Sequence, residues 1–171
     1  MRMRCTFVLA SVLMLAGAVS SARAQDASWD LGVSAAAVQY DLSGTGTAPG
    51  LAVHAGRPVH GNVMVEIRAL FAKPEQQFGS STFFAPEAQL QYRWNIARLS
   101  PYVGGGVGLA ANASPLRTDW DPTLSFAVGT GVRLNDRLDV TGELRLRGIE
   151  WRFVGSTAEW SAGLKWRIPS F

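Results

Sequence analysis

His54 and His60 are the only imidazoles in the sequence, and they limit its acid–base chemistry. Acyl transfer at a serine needs a base held against the nucleophile, with a third group orienting the base. Neither histidine stands in an H-x-S arrangement, and no carboxylate–histidine cluster surrounds either one. The single cysteine, Cys5, supplies neither a disulfide nor a thiol pair. The cluster Gly104-Gly105-Gly106 with Gly108 invites a phosphate-loop reading, but no lysine and no helix start follow it. What remains is a set of charges that lie opposite the bulky apolar residues of their own segments: Arg68, Glu87, Arg133, Asp139, Glu143, Arg145, Arg147, Glu159 and Lys165. The chemistry open to such a set is ion pairing, so no catalysis, cofactor or metal is expected.

The elements that carry these charges show a period of two. In TAEWSAGLKWRI, from Thr157, the residues Ala158, Trp160, Ala162, Leu164, Trp166 and Ile168 share one face. Glu159, Ser161, Gly163, Lys165 and Arg167 share the other. Successive side chains of an extended strand leave opposite faces, so the alternation predicts a strand. Seven further segments repeat it, at 29–40, 50–59, 62–71, 83–95, 100–110, 123–134 and from Leu138 onward. The pattern blurs at Val38 and Tyr40, where a bulge is expected, and flips parity at Gly148, which marks a bulge or a rim. Pro86 is expected near a rim because it donates nothing to a ladder.

The chain ahead of these strands has a different character. Met1-Arg-Met-Arg4, an apolar run from Phe7 to Val19 and Ala22-Arg23-Ala24 describe a secretory leader cleaved after Ala24. Residues 25–171 are then the folded domain. Removing Arg2, Arg4 and Arg23 from the 16 basic residues leaves 13, matched by 13 acidic ones. A neutral domain gives no reason to expect a nucleic-acid partner. Beyond the leader no apolar run reaches the roughly 20 residues of a membrane helix, so a membrane role requires a closed barrel.

The connections alternate in length. His60-Gly61-Asn62, residues 96–99 and Asn135-Asp136-Arg137 are short turns, and the first suits a hairpin with a left-handed Gly61. Residues 41–49, 73–82 and 112–121 read as longer loops, and Gly155-Ser156-Thr157 as the seventh connection. Eight strands with long loops at one end and short turns at the other is the layout of an outer-membrane barrel.

Charge decides which face is outside. The inward set opposes the bulky apolar set on every charged strand, with Arg57 the chief exception near the short-turn end. An eight-stranded interior is only just wide enough for side chains, and the apolar set would overfill it. Small residues and paired charges fit it better. The expected pairs are Arg68 with Glu87, Arg147 with Glu159, Glu143 with Lys165 and Arg133 with Asp139, giving a lumen closed by ion pairs. Trp29, Trp94 and Trp166 fall at the short-turn end, and Phe71, Phe84, Trp151 and Trp160 at the other, as two interfacial girdles.

The stretches SPYVGGGVGLA, LSFAVGTGVRLND and GLKWRIPSF make the chain resemble the OmpA/OmpX/opacity-like family of eight-stranded outer-membrane barrels. The resemblance spans Gln25 to Phe171. It implies an up-and-down transmembrane barrel of a Gram-negative outer membrane, with lipopolysaccharide around it and the barrel-assembly machinery as its partner in biogenesis. It implies a structural or surface-interaction role and a monomer, with contacts made through the loops. Within the third loop, Trp120 between Asp119 and Asp121 is the foremost contact candidate, the alternative being a solvated loop with an interfacial tryptophan. Some small barrels of this kind are lipid A deacylases, and a lipid-modifying enzyme is therefore one alternative. A soluble periplasmic lipocalin-like barrel is the other. Family members end in an aromatic residue read during assembly, and Phe171 is similar, but Pro169 interrupts and Trp166-Arg167-Ile168 is the other reading.

Overall fold

The computed structural model describes residues 28–39, 46–73, 75–76, 79–80, 82–113, 118–150 and 152–169. The leader, the loop at 41–45, Trp151 and Phe171 lie outside the described residues. The strands in chain order are β1 (Trp29–Gln39), β2 (Thr47–His60), β3 (Val63–Ala72), β4 (Glu75–Gln76), β5 (Gly79–Ser80), β6 (Thr82–Arg93), β7 (Leu99–Ala113), β8 (Thr118–Arg133), β9 (Leu138–Ile149) and β10 (Arg152–Ile168). Eight of them close into one antiparallel barrel, and β4 pairs with β5 in a small hairpin of its own. Each barrel strand pairs with its neighbour in sequence, and β1 closes the wall against β10 from Trp29↔Ile168 to Gln39↔Ala158. Closure leaves no edge with unpaired backbone groups, the condition for crossing lipid as a sheet.

The alternation resolves into an inside and an outside. Leu31, Leu51, Val53, Ile67, Leu90, Val103, Phe126, Leu144 and Leu164 face outward, each 36–55% exposed. Arg145, Arg147, Glu159 and Arg68 face inward and are at most 2% exposed. A soluble barrel would reverse these two sets, so the lipocalin-like alternative is overturned. One end of the lumen, beside the loops, holds a small apolar cluster of Ala36, Val38, Ala52, Leu70, Ala72, Phe83, Ala85 and Ala110.

Several boundaries differ from the sequence reading. The ladders of β1 run unbroken through Val38 to Gln39, so no bulge forms there. Val38 is fully buried in the apolar end of the lumen, and that placement explains the blurred pattern. Pro86 lies inside β6, facing outward opposite Ala69. The β6–β7 ladder passes from Phe84↔Ala111 to Glu87↔Gly108, skipping Ala85 and Pro86, the latter having no donor. Residues 112–121 are largely strand, since β7 and β8 continue to Asn112↔Asp119 and Ala113↔Thr118. Gly79 and Ser80 likewise form β5, and Thr82 begins β6.

The connection between β9 and β10 also moves. β9 ends at Ile149, Glu150 takes a left-handed φ of 54°, and β10 already begins at Arg152. Gly155 to Thr157 lie within β10 rather than in a turn. Gly148 keeps register with Leu124, so the parity break is not a bulge there. It is a shift in the opposing ladder, between Arg152↔Ile149 and Thr157↔Arg147. At the other end, Gly61 has φ of 52° in the β2–β3 turn, the conformation that turn requires. β10 ends at Ile168, one residue before Pro169.

Candidate functional site

Inward alternation on β9 sends three long side chains, Glu143, Arg145 and Arg147, from one strand into the lumen. They meet Arg68 from β3, Glu87 from β6 and Glu159 from β10. The six close a ring of alternating charge. Arg68 pairs with Glu159; Glu159 lies 3.7 Å from Arg147. Arg147 lies 2.9 Å from Glu87, which pairs with Arg145. Arg145 lies 2.8 Å from Glu143, and Glu143 lies 4.0 Å from Arg68. Three guanidinium groups and three carboxylates thus neutralise each other, all with side chains at most 8% exposed.

Neutral groups complete the ring. The Tyr102 hydroxyl donates to Glu143 Oε2 at 2.7 Å, and Arg145 Nη1 donates to Ser125 Oγ at 3.3 Å. Room for so many long side chains comes from glycines on the facing wall. A Cβ at Gly129 would stand 2.5 Å from the Tyr102 ring, and one at Gly108 would stand 2.3 Å from the Pro86 carbonyl oxygen.

Toward the short turns a second network forms an open chain. Lys165 lies 3.3 Å from Glu66, and Glu66 lies 4.0 Å from Arg93. Arg93 lies 3.3 Å from Asp30, Asp30 lies 3.8 Å from Arg167, and Arg167 lies 3.6 Å from Asp139. Again three cations alternate with three anions. Between ring and chain lies a void of about 10 Å³, lined by His54, Ser34, Thr141 and Ser161 together with members of both networks. That is the space of a single water molecule.

The structure rearranges the expected partners. Arg68 stands opposite Glu87 in the β3–β6 ladder, yet its guanidinium crosses the lumen to Glu159. Glu143 and Lys165 do not meet, because Glu143 joins the ring and Lys165 takes Glu66. Arg133 stands opposite Asp139 in register, while the ion pair at Asp139 is made by Arg167. Arg147 and Glu159 do approach each other. Asp30, Glu66, Arg93, Arg145 and Arg167 join the networks without having been assigned partners from the sequence. Their inward parity was the available signal; their depth along the axis was not.

The outer wall carries aromatics at both ends. Trp29, Trp94 and Trp166 are 41–45% exposed at the short-turn end, where Tyr92 meets Trp94 edge-on at 5.0 Å. Toward the loops, Phe71 stacks on Phe84 at 4.6 Å, and Trp160 faces outward. Trp120 joins them, edge-on to Phe84 at 6.2 Å. It sits on the outer face of β8, not in a loop. Among the described residues no group of histidine, cysteine or acidic side chains is arranged to hold a metal.

A closed eight-stranded sheet with apolar residues outside and neutralised charges inside defines an integral outer-membrane barrel. The outer-membrane protein β-barrel domain model matches residues 7–167, and the chain belongs to that family. Among solved structures, Neisserial surface protein A is similar with a TM-score of 0.64 at 13% identity, over 81% of this chain and 95% of that one. The attachment invasion locus protein Ail of Yersinia pestis aligns with a TM-score of 0.54 at 13% identity, over 84% and 100%. The N-terminal barrel of Pseudomonas aeruginosa OprF aligns with a TM-score of 0.57 at 11% identity, over 81% and 97%. No curated protein matches the sequence.

Proposed function

We propose that the protein is a non-catalytic outer-membrane barrel with a structural or surface-interaction role and a lumen that does not conduct. The observation that supports this reading is the closed Arg/Glu ring, which fills the lumen with fixed, mutually neutralised charge and leaves room for about one water beneath it. An ion crossing the barrel would have to break a buried pair, at a cost of roughly 3–5 kcal/mol. In this reading residues 1–24 are an export leader, the monomer sits among lipopolysaccharide after insertion by the barrel-assembly machinery, and ligand contacts fall to the loop end. Planar-bilayer recording of the refolded barrel tests it: baseline current is expected. Large, steady, ion-selective steps would refute the sealed lumen.

The enzymatic alternative has weaker support. His54 shares its void with Ser34 and Ser161, but about 10 Å³ admits no acyl chain. Cells carrying His54→Ala are expected to show an unaltered lipid A acylation pattern, and a changed pattern would reverse the assignment.

A further inference from the structure

Arg57 is a cation placed among the outward-facing residues of β2. On β2, Gly56 pairs with Asp30, which sets Arg57 beside Trp29 on the lipid side; across β3 its partner is Val65. The guanidinium lies over the Trp29 ring, 5.8 Å from its centroid. Arg57 Nε is buried without a hydrogen-bond partner. Asp30, the nearest carboxylate in the β1–β2 ladder, points into the lumen and is held by Arg93 and Arg167. Among the described residues, no carboxylate lies within ion-pair distance of Arg57 on the surface it shares with Trp29 and Val65.

The same end of the barrel repeats the imbalance. Arg98 in the β6–β7 turn and Arg137 in the β8–β9 turn are exposed, and Arg133 ends β8. None of the three has an ion pair among the described residues. Asp136 is the one acidic residue in those turns. Meanwhile both interior networks are internally neutral, so they contribute no compensating charge to the rim.

We propose that this rim binds the phosphates of anionic glycerophospholipids in the periplasmic leaflet, with Arg57 stacked on Trp29 as the principal site and Arg98 and Arg137, in turns elsewhere around the same rim, as secondary sites. A guanidinium on an aromatic face keeps its outer N–H edge free for a phosphate oxygen, and it keeps its stem in apolar surroundings. At the level of the interfacial tryptophans the lipid headgroup is the anion within reach. The inference rests on the membrane-barrel reading and adds to it a preferred lipid.

The test is lipid association of the folded barrel in vesicles of phosphatidylcholine with graded phosphatidylglycerol, read by displacement of spin-labelled lipids at low salt. Wild-type protein is expected to prefer phosphatidylglycerol. Arg57→Gln should lower that preference about fivefold, and Arg98→Gln with Arg137→Gln by a further step of similar size. Arg57→Lys should retain part of it, keeping charge without the planar stack. Heat-modifiable gel mobility in each sample reports whether the barrel has folded. Equal association of wild type with both lipids, or an Arg57→Gln variant that is folded and unchanged, would overturn the proposal while leaving the membrane reading intact. Failure of the wild type to insert in any vesicle would overturn both.

Discussion

Arg68 and Glu159 belong to strands separated by two others around the wall, β1 and β2, yet their side chains join inside the barrel. The contact therefore ties distant staves together across the lumen and does not reinforce a local ladder. Glu159 also serves Arg147, so removing it leaves two guanidinium groups short of charge. Glu159→Gln is expected to destabilise the barrel by roughly 3–5 kcal/mol, because an uncompensated buried charge costs more than the pair contributes. Removing Arg68 and Glu159 together, as Arg68→Met with Glu159→Gln, should cost less than the two single changes added. Urea unfolding in lipid vesicles measures all three, and strict additivity would show that the two side chains are not coupled.

Two glycines, one inward and one outward, differ in what a side chain would meet. A methyl group at Gly108 would meet the Pro86 carbonyl at 2.3 Å and the Glu87 backbone at 2.8 Å, neither of which can swing aside. Gly142 points outward with nothing within 4 Å of a new Cβ. Gly108→Ala should therefore cost about 1–3 kcal/mol by overpacking. Gly142→Ala should be neutral or stabilising by up to about 1 kcal/mol, since glycine weakens a strand interior. The same unfolding assay ranks them; equal effects would contradict the crowding on the inner wall.

How far the sequence was legible follows from these details. Parity is a local property, so Glu143, Arg145 and Arg147 could be placed inside from their spacing alone. Partnership is not local. Arginine is long enough to cross a lumen this narrow, and the barrel's stagger decides which carboxylate shares its depth; Arg68 thus bypasses Glu87 beside it for Glu159. The stretch around Asp119 and Asp121 looked like a loop because polarity marks loops. Strand pairing nevertheless continues through Asn112↔Asp119, with Trp120 on the outer face against Phe84. Glu150 hid the last turn for a different reason: it takes a left-handed conformation that glycine usually marks, while Gly155 nearby carried the stronger turn signal but lies within β10.

The outer tryptophans give a direct reading of depth. Trp29, Trp94 and Trp166 share the short-turn end, while Trp120 and Trp160 lie toward the loops. Single-tryptophan variants retaining Trp29 or Trp160 should both be quenched more by lipids brominated near the headgroup than by lipids brominated near the chain end. A tryptophan placed at Leu144, between the two ends on β9, should show the reverse order. Identical quenching at all three positions would remove the two-girdle arrangement.

Trp120 allows loop contact and wall packing to be told apart. Its ring meets Phe84 edge-on at 6.2 Å, and Phe84 stacks on Phe71, so three aromatics form one cluster on the outer face. Aromatic pairs of this geometry contribute about 0.5–1.5 kcal/mol beyond the area they bury. Trp120→Leu and Phe84→Leu should each lower stability, and the double variant should lose less than their sum by about that amount. A ligand-contact role predicts a different outcome, because a side chain committed to an external partner leaves the free barrel's stability unchanged when it is replaced. Full additivity of the two substitutions would return Trp120 to the list of candidate ligand contacts.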